Sequence, residues 1–176
     1  LICFRNDLMP TVSTFRECLI CNNIGKSNNF KFSLHLKVDT GMSRLGFECD
    51  QFVQQFNNIK SLENIAVKGI YSHLACADEK NALNPKSSTQ LQKEKFQELL
   101  KIIDIDNTQN IKIHLANSAG MILGKDFHFD MVRVGLSMYG YDPSVNINEN
   151  LFLKPALFLK AKVTFVRTIE KGIGVS

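Results

Sequence analysis

The chain has 176 residues, 44% of them apolar, enough for one substantial core but too few for two comfortable domains, and intrinsic disorder is excluded. Lys and Arg number 21 against 17 Asp and Glu, a net charge of +4 that favours solubility but falls well short of the basic stripe of a nucleic-acid binder. No apolar run approaches the roughly 18 residues of a membrane span, and no basic start followed by an apolar stretch marks an export signal, so a cytoplasmic protein is expected. The five cysteines are odd in number and repeat no framework, which fits reduced thiols. The sequence starts at Leu1 and stops at Ser176 inside a strand-like stretch, so a piece of a longer chain is expected.

Helix and strand signals alternate along the chain. Residues 9–12 are short and strand-like; Thr14 with Glu17 three positions on forms a capping box, and Phe15, Cys18 and Leu19 share one helical face that is predicted to end near Asn22–Gly25. From Phe32 to Asp39 the period is two: Phe32, Leu34, Leu36 and Val38 on one side, Ser33, His35, Lys37 and Asp39 on the other. Asp50 can cap a helix holding Phe52, Val53 and Phe56, and Ile65–Ala75 is again strand-like. A polar loop over Asp78–Thr89 leads to a helix opened by Thr89 and Gln92, with Phe96, Leu99, Leu100 and Ile103 at helical spacing. A strand at Ile111–Asn117, a short helix from Ser118 and a strand at Phe129–Gly135 follow. Pro143–Asn150 reads as a linker, and Leu157–Ile169 with Gly172 and Gly174 suggests β structure without helices.

This β-then-α order predicts a parallel sheet with helical crossovers, an α/β fold over residues 1–145. About five βα units are visible, and a closed eight-stranded barrel needs roughly 250 residues, so the chain can supply only a partial TIM-type (β/α)8 barrel. Polar residues gather at the predicted C-terminal strand ends, where parallel α/β folds bind ligands.

Four of these positions carry candidate chemistry. Arg44 follows Lys37 and Asp39 across the turn Thr40-Gly41-Met42; it can clamp a carboxylate or phosphate bidentately, or be a surface arginine near a strand end. His73 ends a buried strand, where a lone histidine is more often a hydrogen-bonded core residue than a catalyst. Arg133 lies inside Met-Val-Arg-Val-Gly, where an unpaired cation would be very costly, so it needs a partner or a ligand. Asn117-Ser118 begins a helix and exposes backbone N–H groups beside a hydroxyl, which suits phosphate but is also an ordinary cap; Gly135-Leu136 offers a second close backbone approach to an anion. Cys18-Leu-Ile-Cys21 lacks a second pair and reads as small buried hydrophobes, with no metal site. There is no Gly-x-Ser-x-Gly, Walker loop or dinucleotide fingerprint.

Four segments, Lys37-Val-Asp-Thr-Gly-Met-Ser-Arg-Leu-Gly-Phe47, Tyr71-Ser-His-Leu-Ala-Cys-Ala-Asp-Glu79, His114-Leu-Ala-Asn-Ser-Ala-Gly120 and Met131-Val-Arg-Val-Gly-Leu-Ser-Met-Tyr-Gly140, closely resemble alanine racemase in order and spacing. The resemblance runs on through Leu153-Lys-Pro-Ala to Gly172-Ile-Gly-Val-Ser176, so that residues 151–176 look like the beginning of that family's C-terminal β-domain. It implies a barrel that holds pyridoxal 5'-phosphate at its strand C-termini, acts on alanine, works as a homodimer and supplies D-alanine for peptidoglycan. By resemblance Arg44 holds the substrate carboxylate and the cofactor's phenolic oxygen, and Lys37 is the position often carbamylated to orient that arginine. His73 packs beside the cofactor ring and bonds to Arg133, Arg133 faces the pyridine nitrogen, and Asn117, Ser118, Gly135 and Leu136 match the phosphate-binding positions.

An arginine at the pyridine nitrogen has no lone pair with which to hold a proton there. The ring is then a shallower electron sink than one facing a carboxylate, which favours prompt reprotonation at Cα and hence racemisation. The family's cofactor-bearing lysine belongs upstream of Leu1 and its opposed tyrosine base just beyond Ser176. Inversion requires two opposed bases, so the 176 residues alone are expected not to turn over. A non-catalytic pyridoxal-phosphate-binding protein of the same fold lacks the β-domain, so Leu153–Ser176 argues against it. A remnant subunit would leave raw parallel edges, which natural proteins avoid.

Overall fold

The computed structural model describes residues 2–105, 110–144 and 152–174. Its elements in chain order are α1 (Ile2–Arg5), β1 (Thr11–Val12), α2 (Phe15–Asn28), β2 (Phe32–Asp39), β3 (Phe47–Glu48), α3 (Cys49–Lys60), β4 (Ile65–Tyr71), α4 (Ser88–Ile102), β5 (Lys112–His114) and α5 (Ser118–Leu123). All pairings are parallel: β1, β2, β4 and β5 lie side by side, and β3 adds to the end of β2. Among the described residues the sheet does not close on itself, as expected for part of a barrel.

The two faces of β2 divide the work. Leu34, Leu36 and Val38 are fully buried and join Ile70 of β4, Phe52, Phe56 and Ile59 of α3, and Phe96 of α4 in one core, each contributing about 1.5–3 kcal/mol. His35 and Lys37 occupy the opposite face of the same strand, in register with Gly69 and Tyr71 of β4, which in turn pair with Lys112 and His114 of β5. Alternation along parallel neighbours therefore lays a polar row across the surface that a closed barrel would turn inward.

The Thr14 capping box forms as predicted, with Glu17 N–H donating to Thr14 Oγ1 while the Glu17 carboxylate accepts from the Thr14 N–H. The helix it opens, however, continues past Gly25 to Asn28. Gly25 does not stop it but lets it approach Phe30 and Asn64, where a Cβ would stand 2.7 and 2.9 Å from its neighbours; the stop comes at Asn29, in the left-handed region at φ 53°. Glu48, not Asp50, precedes α3, and Ser87, not Thr89, caps α4 through its hydroxyl and the Gln90 N–H.

β4 leaves the ladder at Tyr71 and β5 at His114, both shorter than predicted. Residues 129–135 form no strand, although Asp130 N–H donates to the Ile113 carbonyl and Arg133 N–H to the Ala116 carbonyl, so the segment tracks β5 without full pairing. The expected β structure at Leu157–Ile169 is absent as well. Residues 152–174 carry neither helix nor strand, and apolar side chains such as Phe152 and Leu159 are fully exposed; a ladder needs a partner strand, and this segment has none among the described residues. It touches the body through the Ala156 N–H to the Tyr139 carbonyl and through the Tyr141 hydroxyl to the Leu157 carbonyl. Most of the linker at Pro143–Asn150, and the final Val175-Ser176, lie outside the described residues.

Candidate functional site at the strand C-termini

The turn after β2 is organised by one carboxylate. Asp39 Oδ1 accepts from the backbone N–H groups of Gly41, Met42 and Ser43 at 2.9, 2.9 and 3.1 Å. Burial works against the ionised form, but those three donors outweigh it and hold the Asp39 carboxyl below its ordinary value. Gly46, at φ +134°, closes the turn: a Cβ there would lie 2.7 Å from the Asp39 nitrogen. Asp39 thus shapes the loop that presents Arg44, which is exposed. Lys37 is buried at 6% exposure, and desolvation followed by the Arg44 charge lowers its pKa from the ordinary lysine value, Asp39 acting in the opposite direction.

Arg133 has the acceptors that its sequence context demands, and all of them are neutral. Nη1 lies 2.7 Å from His114 Nδ1; Nη2 donates to the Ser72 carbonyl at 2.8 Å and the Leu115 carbonyl at 3.1 Å, and lies 3.2 Å from His73 Nδ1. The guanidinium also sits over the Tyr71 ring at 4.7 Å, and Tyr71 stacks on His114. The pairing of His73 with Arg133, implied by resemblance, is present.

Arginine offers only donors, so His114 Nδ1 and His73 Nδ1 must present lone pairs and each ring carries its proton on Nε2. His114 Nε2–H can then donate to His35 Nδ1, 3.0 Å away. Burial, followed by the Arg133 charge, pushes His73 down to about 4 and His114 down to about 3, and the same two causes lower His35. Three neutral imidazoles therefore surround one permanent cation at neutral pH. Sequence reasoning placed His35 on the chemical face of β2 but missed its link to His114, because the contact depends on strand register. The glycine opposite was the available signal: a Cβ at Gly69 would lie 2.5 Å from the His35 ring.

The anion-binding candidates converge at the start of α5. Ser118 Oγ accepts from the Gly135 N–H at 2.9 Å and the Ser137 N–H at 3.4 Å, bringing the segment after Arg133 onto the helix start. The Ser137 hydroxyl is buried without a partner among the described residues. Asn117 is different: its Oδ1 caps the Gly120 N–H and its Nδ2 donates to the Leu74 carbonyl, so its amide is committed to the fold. His73, Asn117, Ser118, Arg133, Gly135 and Leu136 all line one cleft of about 330 Å³. The cysteines are free, Cys18 is wholly buried with its thiol pushed up to about 12 by burial first, and no metal-binding cluster occurs among the described residues.

Fold and site together define an open parallel α/β barrel of the kind whose ligands sit at the C-terminal ends of the strands. The profile of the family described as "Alanine racemase, N-terminal domain" matches residues 1–143, and the chain belongs to that family. It is similar to alanine racemases from Prochlorococcus marinus, 45% identical over 174 residues covering 99% of this chain and 45% of that protein, and from Synechocystis, 38% identical over 170 residues covering 96% and 44%. Among solved structures, Clostridium difficile 630 alanine racemase superposes with a TM-score of 0.81 at 31% identity, covering 99% of this chain and 45% of that one. A Bartonella henselae alanine racemase with covalently bound pyridoxal phosphate superposes at 0.73 with 29% identity, covering 88% and 42%. The chain spans less than half the length of these relatives.

Proposed function

We propose that this chain forms the cofactor-facing barrel segment of an alanine racemase, which interconverts L- and D-alanine with pyridoxal 5'-phosphate. In this reading the enzyme is a cytoplasmic homodimer that supplies D-alanine to peptidoglycan. The observation that carries it is Arg133, a half-buried cation whose hydrogen-bond partners are all neutral. The residues present fit the cofactor on two further counts: Ser118, Gly135 and Leu136 lie together in one cleft, and a buried Ser137 hydroxyl beside them has no partner among the described residues.

When bound, pyridoxal phosphate withdraws electrons from the substrate and acidifies its Cα proton. The chain's own residues set the conditions for that chemistry. Arg133 can donate a hydrogen bond to a ring nitrogen but cannot supply a lone pair to keep a proton there. His114 and two carbonyls fix its fork, and His73, held neutral, adds no competing charge beside it. Ser118 with the Gly135 and Leu136 backbone would hold the phosphate, and Arg44, carried by the Asp39 turn, would hold the substrate carboxylate. The domain reading follows the same line, with residues 1–145 as barrel and 151–176 as the beginning of the β-domain.

The test is α-proton exchange of L-alanine in deuterated buffer with the complete polypeptide that contains these residues. Racemisation with deuterium at Cα is expected; cofactor binding without exchange would overturn the racemase reading and leave a pyridoxal-phosphate-binding protein. Residues 1–176 alone are expected to give no turnover, because inversion requires two opposed proton-transfer groups.

A further inference from the structure

Beyond Asp39 and Tyr71 the β2–β4 ladder ends, the last register pair being Lys37 with Tyr71. Both chains continue into the site, one toward Arg44 and the other through Ser72 and His73. The two segments no longer bond to each other through a ladder, although β3 pairs with the end of β2 and the Ser72 N–H still donates to the His114 carbonyl of β5.

One buried side chain fills that gap. Gln92 of α4 is 2% exposed; its Oε1 accepts from the Ala75 N–H at 2.9 Å, and its Nε2 donates to the His73 carbonyl at 3.0 Å and to Thr40 Oγ1 at 3.4 Å. Thr40 Oγ1 lies 2.8 Å from Ser72 Oγ, and the Ser72 carbonyl accepts from Arg133. The stem of Gln92 also packs on Gly41, where a Cβ would stand 3.3 Å from Cγ. A primary amide carries one donor group and one acceptor, as a peptide does, so it can bond both sides of Leu74 as a neighbouring strand would.

We propose that Gln92 is a positioning residue. It takes the place of the ladder bonds that β2 and β4 no longer make beyond their ends, and holds the Arg44 turn at a fixed distance from His73 and Arg133. The catalytic part of this inference rests on the racemase reading; the structural part does not. It also gives Gln92 a role other than the helix-opening one read from its spacing to Thr89.

Two variants of the complete polypeptide test it. Gln92→Met removes both hydrogen-bonding groups. The Ala75 amide should then exchange with solvent at least about tenfold faster, while the amides of Leu36 and Ile70 in the intact ladder keep their protection. In the same variant kcat for alanine should fall more than tenfold, because Arg44 and His73 lose their mutual register. Gln92→Glu keeps the shape. Its carboxylate cannot donate to the His73 carbonyl, but the neutral acid can, so its kcat relative to wild type should rise as pH is lowered from about 9 to about 6.

Unchanged Ala75 exchange in Gln92→Met, or kcat within twofold of wild type, overturns the proposal. Should Gln92→Met fail to fold, the pH profile of Gln92→Glu decides, and a flat ratio counts against the role. Faster Ala75 exchange in a polypeptide whose wild type does not racemise would remove the racemase reading and keep the structural role of Gln92.

Discussion

Arg133 Nη1 and His114 Nδ1 stand 2.7 Å apart, and His114 Nε2 stands 3.0 Å from His35 Nδ1. With a donor-only guanidinium at one end, the proton positions along this line are determined. His114 is the Nε2–H tautomer and donates to His35, whose own proton is then on Nε2. Nitrogen-15 NMR of the histidine side chains should therefore report both rings as neutral Nε2–H tautomers at neutral pH. Gly69→Ala would push the His35 ring off this line, since the added Cβ falls 2.5 Å from ring atoms. The expected signature is a changed His35 tautomer signal with His114 still neutral; an Nδ1–H signal for His114 in the unaltered chain would contradict the arrangement.

The neutral histidines also set an acid limit on stability. His73 is pushed down to about 4 and His114 to about 3 from an ordinary 6.5, by burial first and by Arg133 second. In the folded state they stay unprotonated where the unfolded chain already binds protons, so unfolding is favoured as pH falls. Their contribution is complete above about 6.5 and is lost progressively from there down to about 3–4. Asp39, held below 3.8, acts in the same direction at the lower end of that range. Urea midpoints of the complete polypeptide should decline steadily between pH 6.5 and 4, and His114→Asn should flatten that decline. A midpoint constant over this interval would mean that the rings are not held neutral by the fold.

The parts of the fold legible in the sequence are those written in local chemistry. The period-two run from Phe32 to Asp39 gives β2 with both its bounds, and Thr14 with Glu17 gives the start of α2, because both signals are complete within a few residues. Arg133 announced its need for acceptors by its apolar neighbours, but their identity did not follow from composition, since they come from β4, β5 and the segments just beyond them. The misreadings have the same origin. Thr89 resembles a cap in sequence, yet it is wholly buried, its hydroxyl without a partner among the described residues, and Ser87 takes the cap instead. Gly25 resembles a helix stop, yet it serves a close approach to Asn64. In each case a tertiary contact decides between two uses of one residue type.

Ser118 ties the start of α5 to the segment after Arg133, the two halves of the proposed phosphate site, through the Gly135 and Ser137 amides. Ser118→Ala removes that shared acceptor and the hydroxyl that would reach a phosphate. One hydrogen bond of this kind contributes about 0.5–1.5 kcal/mol, so the dissociation constant of pyridoxal phosphate, followed by absorbance titration of the complete polypeptide, should rise by about two- to twelvefold. Asn117→Ala should instead act through the fold: it removes the cap on Gly120 and the tie to Leu74, lowering stability by about 1 kcal/mol. A larger loss of cofactor affinity in the Asn117 variant than in the Ser118 variant, at equal stability, would reverse this assignment.

Carbamylation of Lys37, which the family resemblance implies, is a proposal that its surroundings support. It is 6% exposed, and burial followed by the Arg44 charge shifts it toward the free amine. The free amine is the form that adds carbon dioxide: its nitrogen lone pair forms the N–C bond, one C=O electron pair moves to oxygen, and the nitrogen loses a proton to solvent. The product carries a negative charge where the ammonium carried a positive one, within the field of Arg44 and Arg133, both of which had disfavoured the cation. Carbamylation is thus expected to increase with bicarbonate and to draw Arg44 toward β2. Carbon-13 NMR in labelled bicarbonate should give a carbamate resonance that Lys37→Met abolishes, and that variant should bind alanine less tightly, seen as a raised KM. A spectrum without that resonance at saturating bicarbonate would leave Lys37 as a buried amine whose depressed basicity has another use.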